Sequence, residues 1–240
     1  MQLLIDMGNT RLKWATIEQQ QLHVGMPLLN NDLNEQTLLA RWQALKPPQQ
    51  IIISCVTSHQ RLDWLISIAR HLWQNSKIVQ VHAQAYGFAV TNAYKQPEKL
   101  GVDRWLALIA ARHHYIPPVC IVDCGTAITI DLLDSNGQHL GGFISPGLML
   151  MKQALANGTS ALPLAANGGT VQAANHTEAA IYNGTLLAAV GLIEQVINQH
   201  PNFTLLLTGG DAPLIVPHLT GAPILDADLV LRGLAVVAKC

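Results

Sequence analysis

Two stretches of this chain, 117 residues apart, carry one pattern: Leu3-Leu4-Ile5-Asp6-Met7-Gly8-Asn9-Thr10 and Cys120-Ile121-Val122-Asp123-Cys124-Gly125-Thr126. Each is a short apolar run, too brief for a helix, that reads as a buried strand, breaks at Asp-x-Gly and turns into a second strand. One such turn is a common hairpin tip. Repeated at nearly half the length of a 240-residue chain, it implies two copies of a single architecture. Pro117-Pro118, just before the second copy, punctuates the halves and predicts domains at 1–117 and 118–240.

The halves also read alike beyond the turn. After a hairpin over about 2–17, the pattern predicts a strand near Gln21–Met26, a helix Gln36–Leu45, a strand Ile51–Val56, a helix His59–Gln74 and a strand Ile78–Val81. A long helix over about 98–115 leads to the second hairpin at 119–134. A strand His139–Ser145, helices Gly147–Ala156 and Thr177–Gln199, a strand Phe203–Thr208 and a closing helix from Ala227 follow. Gly168-Gly169 within 156–175 reads as a loop, either a cover for substrate or an idle connection. Two mixed α/β domains of one topology are expected, facing each other across a cleft where the Asp-x-Gly turns meet.

Composition narrows the functional classes. Fourteen Lys and Arg against fifteen Asp and Glu leave no field to hold nucleic acid or an acidic membrane. Met1-Gln2-Leu3 runs straight into the first strand, and no apolar stretch reads as reaching a membrane span, so a cytoplasmic location is expected by default. Cys55, Cys120, Cys124 and Cys240 lack a Cys-x-x-Cys spacing, and the ten histidines lack a zinc-like arrangement; no transition-metal site is expected.

Two facing glycine turns suit a nucleotide. Gly8 and Gly125 allow close backbone approach, and successive amides in such turns aim N–H groups at phosphate oxygens. Asp6 and Asp123 then serve cations that screen the phosphates. Thr208-Gly209-Gly210-Asp211, between a strand and a helix-like segment, offers Gly209 and Gly210 as a third nucleotide contact. None is specific alone; order and duplication raise the nucleotide reading.

These motifs resemble the acetate and sugar kinase, heat-shock chaperone and actin superfamily, whose domains are duplicated ribonuclease H-like (actin-like ATPase) units. Within it, DMGNTRLK, GVDR, DCGTAITID, GGFISPG and TGGD, in that order over nearly the whole chain, resemble the type III pantothenate kinases. The resemblance implies ATP-dependent phosphorylation of pantothenate to 4′-phosphopantothenate, the first step towards coenzyme A. It also implies Mg²⁺, a monovalent cation (K⁺ or NH₄⁺) and a homodimer with a shared substrate site. Residue by residue, Asp6, Met7, Gly8, Asn9, Thr10, Arg11, Leu12 and Lys13 match the family's phosphate and Mg²⁺ loop, and Thr126 its second phosphate contact. Asp123 matches the monovalent-cation ligand and Asp103 the proton acceptor. Gly101, Val102, Asp103 and Arg104 match the pantothenate stretch, with Tyr94 and Thr177 as more distant contacts.

Read without the resemblance, Gly101-Val102-Asp103-Arg104 is either a helix start with an exposed ion pair or an anion site at a helix head, where Arg104 grips a carboxylate and Asp103 faces an alcohol. Lys13 reads equally as a solvent-facing strand residue, and Trp14 as core rather than an adenine platform. Two rivals remain: another small-molecule kinase or phosphatase of the superfamily, and a nucleotide-sensing regulatory protein. An intact Asp103 favours chemistry, and the near-neutral charge speaks against nucleic acid.

Overall fold

A computed structural model describes residues 1–165 and 171–239. The chain forms two compact units, Met1–Tyr115 with the C-terminal segment from Asp228, and Ile116–Ala227.

In chain order, the first unit has strands β1 (Gln2–Met7), β2 (Arg11–Glu18), β3 (Gln21–Val24) and β4 (Leu28–Leu29), then helix α1 (Glu35–Trp42), β5 (Gln50–Cys55), α2 (His59–Leu72) and β6 (Lys77–Gln80). A small hairpin, β7 (Tyr86–Gly87) and β8 (Val90–Thr91), and helix α3 (Val102–His114) complete its N-terminal run. The main sheet has the order β3-β2-β1-β5-β6, with β4 paired to β2. β1 runs antiparallel to β2 and parallel to β5, so Asp6 sits opposite Lys13 on one side and Ser54 on the other.

Strand alternation sorts this sheet into two faces. Leu3, Ile5 and Met7 pack with Leu12 and Trp14, with Leu38 and Trp42 of α1, and with Leu62, Leu65 and Ile68 of α2. Trp42 lies between Trp14 and Trp73, with ring centroids 6.5 and 5.9 Å away. Asp6, Lys13 and Ser54 belong to the alternate registers. α1 is started by a reciprocal cap in which Asn34 accepts from the Thr37 amide and the Thr37 hydroxyl accepts from the Asn34 amide.

The second unit contains β9 (Val119–Cys124), β10 (Ala127–Leu133), β11 (His139–Pro146), α4 (Leu148–Gly158), α5 (Thr177–Asn198), β12 (Thr204–Thr208), α6 (Ala212–Ile215) and β13 (Ile224–Leu225). Its sheet order, β11-β10-β9-β12-β13, repeats that of the first unit strand for strand. β9 is antiparallel to β10 and parallel to β12, placing Asp123 opposite Thr129 and Thr208. The duplication seen in Asp-x-Gly is thus a duplication of topology. Cys120, Val122, Cys124, Ile128 and Ile130 pack on Leu148 of α4, Leu186, Ala189 and Ile193 of α5, and Ile215 of α6.

Three expectations need adjustment. The closing helix α7 (Leu229–Val237) does not stay with the second half but packs on α3, β1 and β5 of the first unit, so the division at 117/118 misassigns it. The physical reason is that α3 buries every residue from Arg104 to Ala111 and needs cover beyond the sheet. Secondly, α5 is long and apolar enough to cross a membrane by length and composition, contrary to the expectation. Here Ile181, Leu186, Ala189, Val190, Ile193 and Val196 are core residues of a domain. Thirdly, the predicted loop 156–175 begins inside α4, and its Gly168-Gly169 pair lies outside the described residues.

Gly233 shows how closely α7 approaches α3, because a Cβ there would overlap the Leu106 carbonyl. Alanine gains roughly 1 kcal/mol of helix propensity over glycine. Overpacking a filled contact costs about 1–3 kcal/mol. Gly233→Ala is therefore expected to be neutral to destabilising by up to about 2 kcal/mol, and Gly233→Val more so, in urea unfolding. A clear gain of stability in Gly233→Ala would contradict the packing.

Candidate active site

In the first unit the site begins at the β1–β2 turn. Asp6, 8% exposed, accepts a hydrogen bond at Oδ1 from the Ser54 hydroxyl at 3.0 Å. The Gly8 amide donates to the Arg11 carbonyl at 3.0 Å, closing the turn, and a Cβ on Gly8 would sit 3.1 Å from that carbonyl. Asn9, Thr10 and Arg11 are exposed at the tip, whereas Met7 and Leu12 are buried opposite one another in the core. Met7 and Leu12 therefore offer a ligand backbone groups rather than side chains. Lys13, directly across from Asp6, projects on the same side of the sheet.

The second unit repeats this turn and encloses it more tightly. The Gly125 amide donates to the Ala127 carbonyl at 3.1 Å, leaving Thr126 exposed at the tip. Gly209 adopts φ +93°, and a Cβ on it would lie 2.5 Å from Asp123 Oδ1 and from the Cys124 carbonyl. Gly147 meets the turn as closely: a Cβ there would overlap the Gly125 and Thr126 carbonyls. Its amide donates to Thr126 O at 3.0 Å, and the Asp211 amide to Cys124 O at 2.9 Å. Asp123, Gly125, Thr126, Gly209 and Gly210 thus share one small region, and glycine is required where three segments touch. Asp123 and Asp211 both lie near enough to Cys124 to act on its thiol. Among the described residues no group of three or more His, Cys, Asp and Glu side chains is arranged to hold a metal.

The third element is the head of α3. Gly101 is the cap residue, and a Cβ on it would come 2.5 Å from Asp103 Oδ1. Asp103 Oδ1 accepts from the Arg104 amide at 2.8 Å, in the first turn where helix amides lack internal partners. Arg104 is not an exposed ion-pair residue: it is 6% exposed, its Nη1 donates to the Tyr94 hydroxyl at 2.7 Å, and its guanidinium lies 5.6 Å from the Tyr94 ring centre. Tyr94 is itself positioned by Asn92. That buried side chain accepts from the Tyr94 amide at 3.0 Å and donates to the Gln84 and Pro97 carbonyls at 3.1 and 3.2 Å.

Gly101, Asp103, Arg104 and Tyr94 are therefore brought together, whereas Thr177 belongs to the other unit, exposed at the start of α5. Beside it lies a cavity of about 510 Å³ lined by Gln172, Asn175, His176, Ala179 and Asn183 among others. Ser54 and Asn92 escaped the sequence reading. Ser54 left a trace as the one hydroxyl after Ile51-Ile52-Ile53, while Asn92 left none.

Two like-folded α/β units, each with a carboxylate and glycine turn at the rim of its sheet, make up the duplicated fold that sugar kinases share. A Sinorhizobium meliloti protein assigned as a 2-dehydro-3-deoxygalactonokinase shares that fold at TM-score 0.59 and 12% identity, covering 100% of this chain and 96% of its own. A Campylobacter jejuni protein assigned to a Baf family of transcriptional activators does so at TM-score 0.64 and 24% identity, covering 99% and 97%. The model of the type III pantothenate kinase family matches residues 2–199. The type III pantothenate kinase of Nitrosococcus oceani is 36% identical over 100% of this chain and 94% of its own length. This chain belongs to the type III pantothenate kinase family, and is a kinase that transfers a phosphoryl group to an alcohol.

The thiols beside the second turn are shielded, not reactive. Burial, then the negative charge of Asp131, pushes Cys120 up to about 12; burial, then Asp123 and Asp211, pushes Cys124 higher still. The folded state therefore holds these protons more tightly than the unfolded chain, whose thiols titrate near 9. Their contribution to stability is complete below that pH and is lost as pH rises through the folded-state values. Ellman's reagent at pH 8 is expected to label neither Cys120 nor Cys124 until the protein is unfolded. From pH 9 upward, unfolding free energy should fall more steeply than in a Cys120→Ala, Cys124→Ala variant; equal slopes would contradict the shielding.

Proposed function

We propose the following division of labour for the family's reaction in this chain, the ATP-dependent phosphorylation of pantothenate to 4′-phosphopantothenate for coenzyme A biosynthesis. The observation that carries it is the head of α3, where Gly101, Asp103 and Arg104 share one turn and Arg104 is bonded to the Tyr94 hydroxyl. Arg104, steadied by Tyr94, receives the pantothenate carboxylate, and its planar fork suits a bidentate contact. Asp103 faces the acceptor hydroxyl, orients it and collects its proton. Because the transition state of phosphoryl transfer is loose, that proton leaves late and an ordinary carboxylate serves.

Asp6 to Lys13 hold the ATP phosphates, the exposed tip giving amides, Asp6 favouring Mg²⁺ and Lys13 supplying positive charge to the phosphate oxygens. Thr126, Gly209 and Gly210 supply the second unit's contacts to the nucleotide. Mg²⁺, which Asp6 would help to hold, would supply charge neutralisation to the phosphates. Asp123 would hold a monovalent cation, K⁺ or NH₄⁺. The enzyme works in the cytoplasm, without nucleic acid or membrane as partner.

The working unit in this reading is a homodimer with a shared substrate site. Its support is the apolar stripe that α5 leaves exposed, Gly184, Leu187, Ala188 and Gly191, with Leu187 55% exposed. Thr177 on the same helix then completes the pantothenate pocket of the other subunit.

The test of the shared site is complementation. Asp103→Asn removes the proton acceptor and should lower kcat by roughly a hundredfold or more while ATP binding persists. Thr177→Arg should block the pocket from the partner. Each variant alone is expected to be nearly inactive, whereas mixing and exchanging their subunits should restore part of the turnover, since one of the two mixed sites carries neither lesion. Full activity in folded Asp103→Asn overturns its role; verified exchange without recovery overturns the sharing.

Asp123→Ala is expected to abolish the advantage of K⁺ over Na⁺ in rate assays, with a large loss of rate. An unchanged potassium response would remove Asp123 from cation binding.

A further inference from the structure

The β1–β2 turn has a second set of restraints from a residue that no motif contains. Asn30, just after β4, donates from Nδ2 to the Gly8 carbonyl at 2.9 Å and to the Asn9 carbonyl at 2.7 Å. Its own amide donates to the Thr10 carbonyl at 2.9 Å. The Arg11 carbonyl is meanwhile taken by the Gly8 amide. Four successive carbonyls of the turn are thus engaged by protein donors, three of them by one residue.

Planar trans peptides convert this into a statement about amides. In each unit the C=O and the following N–H point in opposite directions. Drawing the Gly8 and Asn9 carbonyls towards Asn30 turns the Asn9 and Thr10 N–H groups to the other side of the turn. A phosphate-binding turn needs that polarity, because carbonyl oxygens repel an anion that amides attract. Three exposed residues at a hairpin tip would otherwise sample both orientations.

Asn30 is held for this task. β4 pairs with β2 through Leu28 opposite Leu12 and Leu29 opposite Arg11. Upstream, the Trp14 indole Nε1 donates to the Met26 carbonyl at 3.1 Å, and Gly25 lies so close that a Cβ would overlap the Trp14 ring. The Gly25 amide donates to the Trp14 carbonyl at 2.9 Å. The segment between β3 and Asn30 is therefore clamped to the strand that leaves the turn.

We infer that Asn30 is a positioning residue for ATP, orienting the Gly8–Thr10 peptides so that their amides receive phosphate. This rests on the reading of Asp6 to Lys13 as the phosphate loop. Of the standard side chains with this shape, Asn alone presents two donors to two carbonyls from one nitrogen; Asp is nearly isosteric but places an acceptor there.

Asn30→Asp and Asn30→Ala are compared with the parent protein by calorimetric titration with a non-hydrolysable ATP analogue and Mg²⁺, by separate KM values for ATP and pantothenate, and by thermal unfolding. ATP-analogue affinity should fall about tenfold or more in Asn30→Asp and less in Asn30→Ala, the KM for pantothenate staying within about twofold. Parent-like analogue affinity in either folded variant overturns the inference, as do equal rises in both KM values, which a merely structural role would give. Should Asn30→Asp fail to fold, Asn30→Ala and Asn30→Ser carry the same comparison. Gly8→Val, titrated in parallel, separates the two readings. Loss of analogue affinity there but not in the Asn30 variants removes Asn30 alone; affinity unchanged in all of them overturns the phosphate loop, and the role of Asn30 with it.

Discussion

A strand that ends in a carboxylate, flanked by an antiparallel partner on one side and a parallel one on the other, is the constraint on which this molecule depends. The pairing is made twice, by β1 with β2 and β5, and by β9 with β10 and β12. In each case the register carries the Asp to the end of the strand, beside a hydroxyl-bearing residue of the parallel neighbour, Ser54 or Thr208. Apolar residues on the same strands supply the burial that holds the register, since a slip of one residue would turn Leu3 and Ile5, or Val122 and Cys124, out of their cores. Hydrophobic packing thus places two aspartates that packing alone would not choose.

Glycine then decides how close other segments come. In the second unit, Gly147 and Gly209 let the ends of β11 and β12 lie against the backbone of residues 123–126, where a Cβ would collide. In the first unit the turn is held from outside, by the segment clamped to Trp14. One topology therefore carries two solutions for a rigid turn: glycine contact in one copy, and side-chain hydrogen bonds from Asn30 in the other. Both leave an exposed tip on a buried base, the arrangement in which backbone amides can serve a ligand without reorganising.

The head of α3 is held by burial in a different way. Its helix is buried along most of its length between the sheet and α7, so Asp103 and Arg104 start from an immobile base. Arg104 is desolvated, which raises the cost of leaving it without partners and makes its bond to Tyr94 part of the positioning. Asn92 extends that network into the connection preceding the helix.

Much of this was legible along the chain, because strand alternation, apolar periodicity and Asp-x-Gly are local signals. The repeated turn announced two like domains; the main strands and helices fall within a few residues of their expected bounds; and Asp103, Arg104 and the glycine turns stood out by motif. Other features left no local mark. The β7–β8 hairpin turns on Phe88 and Ala89, both with positive φ, and neither residue type announces such a turn. The adherence of α7 to the first unit, the burial of Arg104 and the bonds made by Ser54, Asn30 and Asn92 depend on partners distant in sequence. The sequence by itself determined the duplication and the turns, since these follow from the order of neighbouring residues. Only the tertiary structure decided which groups reinforce them, because a hydrogen bond such as that from Asn30 to Gly8 exists only once packing has brought the two strands together.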